Sequence, residues 1–271
     1  MTIMKTSSIA IALGILGIFG TAAADSFTPT DDAMIFANSS GSDTGNANGR
    51  GPGMFAGADG QRNIKRALVK FDLSSLPTTT VATQVELDLV IGQIAGSGGQ
   101  GPGCGTNCNP ASRTFDMYVV DYSKTWHEGQ TGATACGGGL CSSIGGTGQG
   151  WSYTTCNCDD VTWAYNDYKS GASSSWANSP SNQDYGSAVI AATFDDFLNN
   201  ATEAFIGNGS SNTAFLNAVN NWIANPSQNN GFEIRAPDLE GTATSFIGWW
   251  TKDGATANSN SALSPVLIVT H

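Results

Sequence analysis

The chain has 271 residues, of which only 12% are charged, and 22 acidic against 11 basic side chains give a net charge of −11. That balance opposes binding to nucleic acid or to anionic membrane surfaces, both of which need basic patches. It suits an extracellular protein and leaves room for divalent cations.

Lys5 supplies a positive start, Ile9 to Phe19 form an apolar-plus-glycine run, and Ala22-Ala23-Ala24 offers the small residues of a cleavage site. The run is shorter than the roughly 20 residues a membrane span requires. Residues 1–24 therefore read as a signal peptide, with Asp25 opening the mature chain and no membrane insertion. Residues 25–271 suit one β-sandwich domain, a size at which sandwiches commonly form a single unit.

Period-two alternation follows. Ala67, Val69, Phe71 and Leu73 share one face of a strand, opposite Leu68, Lys70 and Asp72. Val85, Leu87, Leu89 and Ile91 repeat the pattern, as do Phe115/Met117/Val119, Phe232/Ile234 and Val266/Ile268. Each run predicts an antiparallel strand with one buried and one wet face. Turn signals at Leu76-Pro77, Asn109-Pro110 and Asn230-Gly231 bound the runs. Helical periodicity occurs once, over 214–224, where Phe215, Val219, Trp222 and Ile223 fall on one face and Asn225-Pro226 ends it.

Two Gly-rich stretches, 92–110 and 129–150, interrupt the strands and hold four of the six cysteines. Cys104, Cys108, Cys136, Cys141, Cys156 and Cys158 form three tight clusters, and an even number in an exported chain predicts disulfides tying these loops. A Cys156–Cys158 bridge is disfavoured by the torsion it would need, whereas Cys104–Cys108 can close on itself. The remaining pairings stay open. Zinc is a poorer reading, because no paired Cys-x2-Cys spacing occurs.

The sequence Arg66-Ala-Leu-Val-Lys-Phe-Asp-Leu-Ser-Ser-Leu-Pro77 resembles the signature of the DNRLRE domain family of secreted bacterial proteins. Asp32-Ala-Met-Ile35, Asn48-Gly49, Trp126-His-Glu-Gly129, Val161-Thr-Trp163, Val219-Asn-Asn-Trp222 with Asn230-Gly-Phe232, and Ser264-Pro-Val-Leu-Ile-Val269 resemble its later elements in order. The likeness spans 31–271. It implies an all-β, antiparallel jelly-roll-like sandwich and, by analogy, a carbohydrate-binding role, with alginate-like glycans among the implied ligands. The cysteine-bearing loops depart from the family pattern.

Catalysis is poorly provided for. His127 and His271 are the only histidines, no Gly-x-Ser-x-Gly elbow frames a nucleophile, and His127-Glu128 lacks the second histidine of a zinc protease site. Carboxylate pairs such as Glu86/Asp88, Asp159/Asp160 and Asp238/Glu240 have no sequence feature that would bury them. Sugar recognition is better supplied: Trp151, Tyr153 and Trp176 lie outside any strand pattern and are the expected exposed rings. Asp31, Asp32, Asp159 and Asp160 are the expected ligands of a structural calcium ion. The expected function is thus a secreted, non-catalytic module for an acidic or cell-wall polysaccharide. A self-associating adhesive or matrix protein is the alternative, and a polysaccharide lyase or hydrolase the third reading.

Overall fold

A computed structural model describes residues 22–95, 113–132, 142–144, 150–153, 159–169, 173–176, 186–194, 200–240 and 245–271. The strands are β1 (Ala24–Phe27), β2 (Pro29–Ala37), β3 (Asn46–Ala47), β4 (Gly53–Ala58), β5 (Ile64–Phe71), β6 (Gln84–Ala95), β7 (Arg113–Val119) and β8 (Trp151–Ser152). They continue with β9 (Tyr165–Asp167), β10 (Ser174–Ser175), β11 (Ile190–Phe194), β12 (Thr202–Asn208), β13 (Phe232–Arg235), β14 (Ser245–Trp250) and β15 (Val266–Thr270). Among the described residues two α-helices, α1 (Thr213–Ala224) and α2 (Lys252–Ala257), accompany these strands.

Eleven strands join in one curled antiparallel sheet, in the order β1-β15-β6-β14-β4-β5-β13-β7-β11, with β12 on β6 and β2 on β5. The long β6 makes the curl possible. Its first half pairs with β15 and β12, whereas its second half, from Ile91 onward, pairs with β14. One strand thereby serves both layers of a sandwich-like body. The inward stripes meet in one large apolar cluster that includes Val69, Phe71, Leu87, Leu89, Phe115, Phe232 and Leu267. Trp222 and Phe215 of α1 pack on Phe232, with ring centroids 4.5 Å and 5.3 Å away.

Beyond β15, whose Leu267 and Val269 face the core in place of the expected Val266 and Ile268, three expectations need correction. Val119 is only partly buried, because it lies at the end of β7. The second helix, α2, has no apolar periodicity to announce it; Thr251 caps it by accepting the Gly254 N–H. The third difference is the largest. The supposed wet face of β5 is covered, and so is the matching face of β2.

On that face Ala33, Ile35 and Leu68 pack with Trp126, Val161, Trp163 and Trp176 in a second apolar cluster. Two cations of β5, Arg66 and Lys70, join this layer through their side chains. The Arg66 guanidinium lies 4.6 Å from the centre of the Trp163 ring, and the Lys70 ammonium 4.8 Å from that of Trp126. Arg66 also donates two 2.9 Å hydrogen bonds to Glu240 and pairs with buried Glu233 at 3.3 Å. Alternation of polar and apolar residues identifies the strand correctly but mistakes a buried, paired cation for a solvent-exposed one.

Candidate functional site

The site begins with two adjacent aspartates on β2. Successive strand residues point to opposite faces, so Asp31 and Asp32 serve different neighbours. Asp31 sits opposite Lys70 in the register and pairs with its ammonium at 2.9 Å. Asp31 also accepts the Glu128 N–H at 3.3 Å. Burial works against the Asp31 carboxylate, but Lys70 and these hydrogen bonds outweigh it and lower its pKa. Asp32 is 0% exposed and turns to α2, where one oxygen accepts the Lys252 N–H at 2.7 Å.

The loop 126–132 closes over these aspartates. Trp126 anchors its start by donating to the Asn230 carbonyl at 2.7 Å. Buried Asp160 pins its end, accepting the N–H groups of Gln130 and Thr131 at 3.1 Å each and the Thr131 hydroxyl. Gly129 permits this approach: its φ is +80°, and a Cβ there would lie 2.0 Å from Asp160 Oδ1. Across the loop, Arg50 donates its N–H to the Thr131 carbonyl at 2.9 Å.

Three acidic side chains meet beneath this loop. One carboxylate oxygen from each of Asp32, Glu128 and Asp253 lies within 4.8 Å of the others. Lys252 reaches all three, with contacts of 3.3 Å to Asp253 and 3.8 Å to Asp32 and a closer one to Glu128. Arg50 adds a 3.1 Å pair with Asp253. Burial raises Asp32 to about 7, against the pull of Lys252. It raises Glu128 to about 8, with the Asp32 charge adding to the effect. Burial alone would lower the Lys252 ammonium, but Asp32 and Glu128 reverse this and raise its pKa.

Two openings flank the cluster. Thr30, Asp31, His127, Glu128, Gly129, Gln130 and Asp159 line a cleft of about 440 Å³. On the other side, Lys252 lines a groove of about 430 Å³ with Thr28, Thr256, Asn260 and Ser261. The His127 side chain is 57% exposed and its Nδ1 lies 3.8 Å from Asp31. Trp151, partly exposed, lies at the far end of the same loop, where a Cβ on Gly132 would come within 2.7 Å of its ring.

The residues singled out from sequence therefore separate. Trp151 remains accessible, but Trp176 is only 5% and Tyr153 only 6% exposed, contrary to their expected exposure. Trp176 plugs the second apolar layer and donates to the Thr162 carbonyl at 3.0 Å. Tyr153 packs against Tyr168 in a tilted arrangement, with ring centroids 4.3 Å apart, and donates to Asp43 at 2.8 Å. The four aspartates expected to share a calcium ion do not converge as one set: Asp31 is engaged by Lys70, Asp160 by the loop, and exposed Asp159 by Lys169 at 3.6 Å. All six cysteines lie outside the described residues.

Glu128 was legible as a motif residue but not as a charged anchor, and Asp253 and Lys252 gave no signal. They lie some two hundred residues from Asp32, so only the fold brings them together. The Glu86/Asp88 pair also departs from expectation. It faces outward, yet partial burial and the neighbouring Glu86 raise Asp88 to about 6. No protein-family model matches the chain, and a search of curated proteins finds no relative.

Proposed function

We propose that this protein is a secreted, non-catalytic glycan-binding module built on a jelly-roll-like sandwich of the DNRLRE type. The observation that carries this reading is the loop 126–132, which lines a polar cleft through residues 127–130 and ends at Gly132 against the ring of partly exposed Trp151. Gln130, His127 and Asp31 offer donors and acceptors for sugar hydroxyls, and Trp151 offers an apolar face for a pyranose ring. The loop is held from below by Asp160, Arg50 and Trp126, so little conformational freedom is lost on binding. The proposed ligand class is an acidic or cell-wall polysaccharide. The resemblance of the Arg66–Pro77 segment to the family signature supports the same reading.

A hydrolase is the second reading, favoured by one feature. Burial raises the Glu128 pKa to about 8, while Lys70 and hydrogen bonds lower that of Asp31 in the same cleft. Pairs of carboxyls pushed apart in this way serve glycosidases as acid and base. Here, however, Glu128 is engaged by Lys252 and by the Asp32 N–H at 3.1 Å, and Asp31 by Lys70. Those bonds suit clamping rather than proton transfer. Incubation with a panel of polysaccharides separates the two: saturable retention of one polymer without new chain ends supports recognition. Chain cleavage that disappears in Glu128→Gln would establish the enzyme instead.

A further inference from the structure

We propose that Asp32, Glu128 and Asp253 form a binding site for one divalent cation of the calcium class, in which the metal takes the place of the Lys252 ammonium. This site is distinct from the aspartate set read from the sequence, sharing only Asp32 with it.

The first support is geometric. Three carboxylates from β2, the 126–132 loop and α2 each direct an oxygen into a space where all lie within 4.8 Å of one another. Oxygens bound to a common calcium at 2.3–2.6 Å would be separated by no more than about that distance. The donor set is oxygen only, which suits a hard cation and disfavours zinc or copper.

The second support is independent of the clustering. Asp32 Oδ1 is fully buried and accepts no hydrogen bond among the described residues; it has only a long ion pair with Lys252 Nζ, at 3.8 Å. A buried carboxylate oxygen left in this state is costly, and metal coordination is one of the few ways to satisfy it. Charge points the same way. In the fully ionised form that a metal would bind, three carboxylates face two cations among the described residues, Lys252 and Arg50, which leaves one negative charge over. Replacing the ammonium by a divalent ion brings the cluster to neutrality.

Lys252 can leave without unfolding anything. Its backbone is fixed through the 2.7 Å bond to Asp32, but its side chain is 24% exposed and lines the neighbouring groove. There it has solvent and the hydroxyl-rich wall of Thr256 and Ser261 for company. The cation would gain access from the cleft that Glu128 lines on the opposite side.

The test is calorimetric titration of chelator-treated protein with calcium chloride, alongside thermal melts with and without the metal. Saturable binding of one ion and a rise in Tm are expected for wild type. Asp32→Asn and Asp253→Asn should each weaken binding about tenfold or more, the second guarding against a folding defect in the first. Lys252→Met should strengthen it, because the competing ammonium is gone. A wild type and a Lys252→Met variant that both show no calcium-dependent heat and no change in Tm would overturn the proposal, as would binding that survives Asp253→Asn in a folded protein. None of these readouts involves a glycan, so failure here leaves the glycan-binding reading standing, and the converse also holds.

Discussion

Glu203 shows what a single buried acid does to this fold. It lies on the inward face of β12, and among the described residues only one of its oxygens has a hydrogen-bond partner, the Trp249 indole N–H at 2.9 Å. Burial raises its pKa from the ordinary 4.5 to about 7. The folded state therefore keeps a proton that the unfolded chain releases. Its contribution to stability is fullest below about pH 4.5 and is lost as pH rises toward 7, on the order of 2–3 kcal/mol. Glu203→Gln should flatten the fall in Tm over that interval, and an unchanged pH profile would show that its burial is not the cause. Gly129 carries a backbone argument at the same scale. Gly129→Ala must adopt a left-handed conformation and displace Asp160, so a loss of at least roughly 1–3 kcal/mol is expected in denaturant melts. Wild-type stability in that variant would mean that the loop is not clamped as described.

Among the elements, β5 is the most informative. Its inward stripe was legible because Ala67, Val69 and Phe71 recur at every second position. Its outward stripe was not, because Arg66 and Lys70 look like solvent-facing residues until tryptophans distant in sequence cover them. Both faces should therefore behave as core. Phe71→Ala and Trp163→Ala are each expected to cost roughly 3–5 kcal/mol in equilibrium unfolding. If Trp163→Ala melts like wild type while Phe71→Ala does not, the second layer is a loose cover and the one-sided pattern was correct. The helices divide in a similar way. The apolar face of α1 predicts its own position, whereas α2 is a six-residue turn held by the Thr251 cap and by Asp32, neither of which has periodicity.

For the whole molecule, the repeated alternation reveals an antiparallel β protein, and the curl around β6 turns that list of strands into two layers. The candidate site was less visible. Trp151 could be picked out because no strand pattern surrounds it, but the same criterion also selected Trp176, which the second layer buries. Asp32 was recognisable as acidic, yet its partners Glu128 and Asp253 come from segments that only tertiary structure brings near. The binding surface is thus assembled by long-range pairing, and local sequence can name its members only one at a time.

Trp151, partly exposed where the clamped loop ends at Gly132, is the residue on which glycan recognition depends in this proposal. The most direct test is the affinity of wild type and of Trp151→Ala for the polysaccharide that a screen of acidic and cell-wall glycans retains. Binding without turnover, weakened about tenfold or more in a folded Trp151→Ala protein, is the predicted result. Equal affinity of the two proteins, or retention of no glycan by the wild type, would contradict it.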